Sequence, residues 1–184
     1  AEILGIWKSG DRTNWVENRK YKNLIVEAGR GSSKSSIASI VGLYEFYNLI
    51  TLENPASYYG LMPNDPIAIF VVAKTLEQVK NTLFGKIVGY AQNSETFQAL
   101  QRSKKIDIMT MGIKCRSKNI AILPQHTNSP ALVGYTLKCL ILDEVARFDN
   151  TIQDDGTITS LADELYNNIG RGCFHPNQWL ETDE

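Results

Sequence analysis

Asn23-Leu-Ile-Val-Glu-Ala-Gly-Arg-Gly-Ser-Ser-Lys-Ser-Ser36 decides how this chain is read. Leu24 to Val26 is a short apolar run that predicts a buried strand. A Gly-rich bend follows, then Lys34-Ser35, then a helical pattern. Strand, glycine loop, Lys-Ser and helix is the layout of a phosphate-binding P-loop. The bend lets backbone N–H groups converge on phosphate oxygens, and the helix adds its unpaired N–H groups and the positive end of its dipole. The expected phosphate cradle is Gly29, Arg30, Gly31, Ser32, Ser33, Lys34, Ser35 and Ser36. Lys34 reaches the β- and γ-phosphates in this reading, and the Ser35 hydroxyl holds Mg2+.

The loop departs from the strict pattern G-x-x-x-x-G-K-[ST]. Ala28 and Ser33 occupy the two glycine positions, and Gly29 and Gly31 lie inside instead. Both replacements are small, so backbone can still approach phosphate. A positive φ at Ser33 would cost more than at glycine.

A second site lies far along the chain. Leu137-Lys-Cys-Leu-Ile-Leu142 predicts a buried strand that ends at Asp143-Glu144. An apolar strand delivering two carboxylates at its carboxyl end is the Walker B arrangement. Ligands of open α/β sheets sit at that edge, where the P-loop also opens. Asp143 is then the Mg2+ residue, and Glu144 the base that orients and polarises the attacking water. Arg30, four residues before Lys34, is a candidate cation for charge that develops on the γ-phosphate. Together these assign the cofactors ATP and Mg2+, and Mg-dependent hydrolysis to ADP and phosphate.

Composition sets the frame. The 184 residues favour one domain, 1–184, with an N-terminal arm or helix over 1–22 and an irregular tail over 170–184. A 43% hydrophobic and 21% charged composition is that of a soluble globular protein. A net charge of −1 does not announce a nucleic-acid binder. Charge is uneven, however: Arg102, Lys104, Lys105, Lys114, Arg116 and Lys118 crowd one stretch against Asp107 alone, and the chain is acidic from Asp143 on. Cys115, Cys139 and Cys173 are dispersed and read as reduced thiols, and with two histidines and no C-x-x-C spacing the pattern argues against a zinc site. No apolar run spans a bilayer and no signal peptide opens the chain.

Between the two sites the patterns alternate. Ile37, Ile40, Val41, Leu43, Tyr44, Tyr47 and Leu49 form a stripe at helical spacing. Thr51 to Pro66 carries turn signals and reads as loop. Ile67 to Ala73 reads as a strand buried on both faces. Lys74 to Phe84 reads as a helix capped by Thr75, with Gln78 at capping-box spacing and a stripe of Leu76, Val79, Leu83 and Ile87. A short helix is expected over 91–103, and two or three short strands with hairpin character over 106–123. Pro124 to Pro130 reads as a polar loop, Phe148 to Thr157 as another, and 160–169 as a helix.

Ala28-Gly-Arg-Gly-Ser-Ser-Lys-Ser35 resembles the deviant Walker A of phage large terminase subunits, whose loops read much like G-G-R-G-S-G/A-K-S. Tyr58-Tyr-Gly-Leu, Ile67 to Gln78, the strands over 106–123, and Leu140-Ile-Leu-Asp-Glu-Val-Ala-Arg-Phe148 are similar to later parts of that family. The likeness runs from about Tyr21 to Phe148. It implies an α/β fold of the RecA-like (ASCE) P-loop NTPase type, with a mostly parallel central sheet flanked by helices. It implies the ATPase motor of a genome-packaging terminase, which translocates double-stranded DNA into a procapsid. Its implied partners are DNA, the portal protein, the small terminase subunit and further copies of itself. Those copies form a ring, a pentamer on the portal, or the chain is a monomer in isolation. No membrane is involved, and the place is the host cell cytoplasm of a viral infection.

Three positions depart from the family. Val133-Gly134 stands where many members carry Arg-Gly, which leaves the finger acting on a neighbouring subunit to Arg102, Arg116 or Arg147. The nuclease domain that usually follows is expected to be absent from this chain, which ends at Glu184. No coupling strand is evident after Asp143-Glu144. Two other readings are a helicase-like DNA-dependent P-loop ATPase, which Ala73-Lys-Thr-Leu-Glu-Gln78 also suits, and a catalytically weak P-loop scaffold.

Overall fold

A computed structural model describes residues 33–129, 132, 134–145, 148, 150–152, 158–161, 165 and 167. Residues 1–34 and 175–184 form one compact unit, of which Ser33 and Lys34 alone are described; residues 35–174 form the other. The expected strand Leu24–Val26, the N-terminal arm and the tail lie outside the described residues.

Strand β1, Ile67–Ala73, is the centre of the larger unit and is buried at every position. Such a run suits a strand covered on both faces by the rest of the fold. It pairs in parallel with β4, Ile120–His126, on one side and with β5, Thr136–Leu142, on the other. β2, Asp107–Met109, and β3, Gly112–Cys115, form an antiparallel hairpin that continues onto β4. The five-stranded order is β2-β3-β4-β1-β5, a mixed sheet with a parallel centre. Alternation along β1 divides the core by face. Ile67, Ile69, Val71 and Ala73 meet the helices, whereas Ala68, Phe70 and Val72 meet Leu132, Phe148 and Leu165.

Helix α1, Lys34–Thr51, packs across β5. A Cβ on Gly42 would lie 3.0 Å from Ile141 Cδ1, so glycine permits the close approach. One turn on, the buried Glu45 faces the buried Lys138 of β5 at 4.0 Å, and Lys138 Nζ stands 5.0 Å from the Tyr59 ring centre. The order is reversed: 42 meets 141 and 45 meets 138, so α1 runs antiparallel to β5. At the far end, Lys118 Nζ donates to Ile50 O at 2.9 Å and also to Leu52 O. A cation there satisfies terminal carbonyls and complements the negative end of the dipole. Lys118 belongs to the 3-10 turn Arg116–Lys118, just before β4. The end of α1 therefore lies at the amino edge of the parallel strands, and its beginning at their carboxyl edge.

The predicted stripe of α1 holds at Leu43, Tyr47 and Leu49 but not at its start. Ile37 and Ile40 are 44% and 54% exposed, while Ser39, Gly42, Leu43, Glu45, Phe46 and Leu49 are buried. Two polar residues and a glycine lie on the inner face, which apolar counting passes over. Thr51–Pro66 is not wholly loop: Asn54 caps a one-turn helix α2, Pro55–Tyr58, by accepting from Ser57 N at 3.1 Å. Pro124 is a buried strand residue opposite Val71 rather than part of a loop. The described β3–β4 pairing stops at Ile122, so beyond it β4 has only β1 beside it, the edge setting in which proline is tolerated. The expected loop over 148–157 contains β6, Asn150–Ile152, which pairs antiparallel with β7, Ile158–Ser160.

After β1 the chain enters α3, Leu76–Val79, a π-helical segment, Lys80–Phe84, and α4, Gly85–Asn93. Helix α5, Glu95–Arg102, follows. The wider π turn presses Lys80 O against Gly85, where a Cβ would sit 2.8 Å from that oxygen. Gly85→Ala is expected to lower unfolding free energy by roughly 1–3 kcal/mol in urea titrations. Glu45→Ala, which leaves the Lys138 ammonium buried beside an apolar gap, should cost about 3 kcal/mol, and Glu45→Leu with Lys138→Met should recover most of it.

Candidate nucleotide site

The carboxyl edge of the sheet carries Asp143 and Glu144. Asp143 follows β5 directly, and its N–H donates to Val72 O at 3.0 Å, extending the ladder by one residue. The carboxylates thus leave the sheet where the apolar strand ends. Asp143 is half-buried and Glu144 exposed. Ser35 lies seven residues before Gly42, roughly 10 Å along α1. Asp143 lies two residues beyond Ile141, roughly 7 Å along the strand. Because helix and strand run in opposite directions from the Gly42–Ile141 contact, Ser35 and Asp143 end at the same edge.

Lys34 opens α1, and Ser33 precedes it in a left-handed conformation with φ 61°. Ser33 stands where the strict pattern has glycine, and it takes a glycine-like backbone. Ser33 is exposed, and Lys34, Ser35 and Ser36 are half-buried. Ser39 Oγ donates to Ser35 O at 2.6 Å, which ties the first turns of α1 together. Gly29, Arg30, Gly31 and Ser32 lie outside the described residues.

The edge holds one partner that capping chemistry alone does not explain. Thr75 Oγ1 accepts from Gln78 N at 3.1 Å, the expected cap of α3. The Gln78 side chain, which a capping box would turn back toward Thr75, reaches across instead. Its Nε2 donates to Glu144 Oε2 at 2.5 Å. Glu144 is itself left-handed, with φ 51°. The signal available in sequence was only Gln78's place in the first turn after β1, next to the strand that delivers Glu144.

The donor set suits Mg2+. That ion keeps water and phosphate oxygens in its shell and needs only one or two protein side chains. A serine hydroxyl and a carboxylate, Ser35 and Asp143, are hard oxygen donors of this kind. No group of three or more His, Cys, Asp or Glu residues able to hold a metal occurs among the described residues.

Of the arginines proposed to act on a neighbouring subunit, Arg116 Nε pairs with Asp107 Oδ2 at 2.6 Å. Arg102 is exposed in the last turn of α5, and Arg147 lies outside the described residues. Cys115 is buried and Cys139 half-buried. No helix among the described residues is long and apolar enough to cross a membrane.

A family described as the N-terminal P-loop domain of the uncharacterised protein MJ0330 matches residues 3–171. The chain belongs to this family. No curated protein and no solved structure matches it. The family gives a P-loop domain, and the five-stranded α/β sheet with helices packed on it agrees with a P-loop NTPase fold.

In a P-loop domain a left-handed residue just before the lysine is a constraint on side chain. An L-residue in that region costs roughly 1–2 kcal/mol. Part of this is offset by the greater freedom of unfolded glycine. Ser33→Gly should therefore raise stability by up to about 1 kcal/mol in urea titrations and leave ATP affinity intact. Ser33→Val should lower both.

Proposed function

We propose that the chain is a Mg-dependent ATPase, and that it powers DNA movement as the motor of a terminase-type packaging machine. The observation that supports hydrolysis is the common edge shared by the start of α1 and the end of β5. In this reading the loop Gly29 to Ser36 cradles the phosphates, with Lys34 at the β- and γ-phosphates. Ser35 and Asp143 would hold Mg2+, which when bound would supply positive charge to the phosphate oxygens. Glu144 takes a proton from the attacking water, and Arg30 meets the charge on the γ-phosphate. Positioning and electrostatics supply most of the rate in such chemistry.

The motor half of the proposal is supported by the arginine-bearing loop and by Asp143-Glu-Val-Ala-Arg-Phe148, the segments most similar to terminases. In this reading DNA would be met by part of the basic stretch 102–118, through phosphate contacts. Lys118 caps α1 and Arg116 pairs with Asp107. Arg102, Lys104 and Lys105 precede β2, which runs parallel to β4 through their shared neighbour β3, so they gather at the amino edge. An open cleft of about 290 Å³ there is lined by residues that include Lys114, Arg116, Asn119 and Tyr135. A motor that steps needs few, sequence-blind phosphate contacts.

Phosphate release from ATP, followed with malachite green, tests the enzyme. Wild type should turn over with Mg2+, and Lys34→Ala and Glu144→Gln should each lose at least about a hundredfold in kcat. A wild type that binds ATP without releasing phosphate would instead make the chain a scaffold. Double-stranded DNA should raise the rate, and Lys104→Glu with Lys105→Glu should remove the stimulation but keep the basal rate.

A further inference from the structure

We infer that Gln78 positions the carboxylate of Glu144, and that the π segment behind it sets where Gln78 stands. The inference deepens the hydrolytic reading and rests on Glu144 being the carboxylate that acts on water. Gln78 and Glu144 are 66 residues apart in sequence, yet their side chains meet at 2.5 Å. The pairing of β1 with β5 makes this possible, because α3 begins just beyond β1 and Glu144 lies just beyond β5. An amide donor on one carboxylate oxygen limits rotation of the carboxylate, so its other oxygen is presented in a narrow range of directions. General-base catalysis needs that restriction, since proton transfer depends on alignment with one water.

Two further observations bear on the same contact. Glu144 holds a left-handed backbone, φ 51°, which strains a non-glycine residue and persists only where the surroundings over-determine it. The helix carrying Gln78 also changes geometry two residues later, at Lys80. π turns inside helices are frequent at functional sites. Here the turn is built in by side chains: Thr82 Oγ1 donates to Gln78 O at 2.8 Å, and Gly85 leaves room for Lys80 O. Leu83 O, inside the π segment, also lies 3.5 Å from the buried Ser39 Oγ of α1. Ser39 in turn holds Ser35 O. One helix thus touches both the first turns of α1 and the carboxylate beyond β5.

Steady-state ATP hydrolysis by wild type, Gln78→Ala, Glu144→Gln and the double variant reads the role. Gln78→Ala should lower kcat about tenfold with KM within about twofold, the pattern of a group that acts in the transition state. In the Glu144→Gln background it should cost nothing more, because a residue acting through Glu144 has nothing left to orient. Gln78→Glu, which sets a like charge against the carboxylate, should lose more than Gln78→Ala. An unchanged kcat in Gln78→Ala, or the same tenfold loss in the Glu144→Gln background, overturns the inference and leaves the hydrolytic reading standing. A second arm is independent of turnover. The side-chain amide resonances of Gln78, identified by their disappearance in Gln78→Ala, should move in Glu144→Ala. If they stay in place the inference fails even where hydrolysis holds. If they move while wild type releases no phosphate, the contact stands and the hydrolytic reading falls.

Discussion

The structure turns on the reversed packing of α1 against β5. Gly42 lets helix and strand approach at Ile141, Glu45 and Lys138 pair beneath the helix, and Lys118 fastens its last carbonyls at the opposite edge. Each contact lies at a different height along the strand, so together they set direction as well as distance. Direction is what matters for chemistry. A helix running the other way would bring carbonyl oxygens, not N–H groups, to the edge where Asp143 and Glu144 emerge.

Burying an ion pair is an indirect way to fix that direction. Two charges taken out of water gain little net stability over a well-packed apolar pair. The pair's value is in its specificity. Glu45 can be buried only where a cation waits, and Lys138 is nearly enclosed on β5 with the Tyr59 ring beside it. A one-turn slip of α1 would carry Glu45 away from Lys138, whereas an apolar interface would tolerate it.

The parallel strands were legible because nothing competes with a seven-residue apolar run: β1 and β5 could be read almost to the residue. The hairpin β2–β3 and the Thr75 cap were legible for local reasons, a turn signal and a side chain that closes on its own helix. What escaped reading is long-range. The inner face of α1 carries Ser39, Gly42 and Glu45, whose burial depends on partners more than forty residues away, such as Leu83, Ile141 and Lys138. Pro124 looked like a loop residue because the place where β3 stops beside β4 is not written near it. At the candidate site the acids after β5 and the lysine-serine pair were visible as residue types. The Gln78–Glu144 bond was not, because its two halves are joined only by strand pairing. Ser33 lay between the two cases: the missing glycine raised the question of a positive φ, and the backbone adopts one.

The central claim is that the hydroxyl opening α1 and the first carboxylate after β5 serve one metal-bound triphosphate. Equilibrium binding of ATP with and without Mg2+, to wild type, Ser35→Ala and Asp143→Asn, tests it most directly. The account predicts that Mg2+ tightens binding to wild type and that each substitution removes the tightening while sparing metal-free affinity. Mg2+ tightening that survives undiminished in both variants would contradict it.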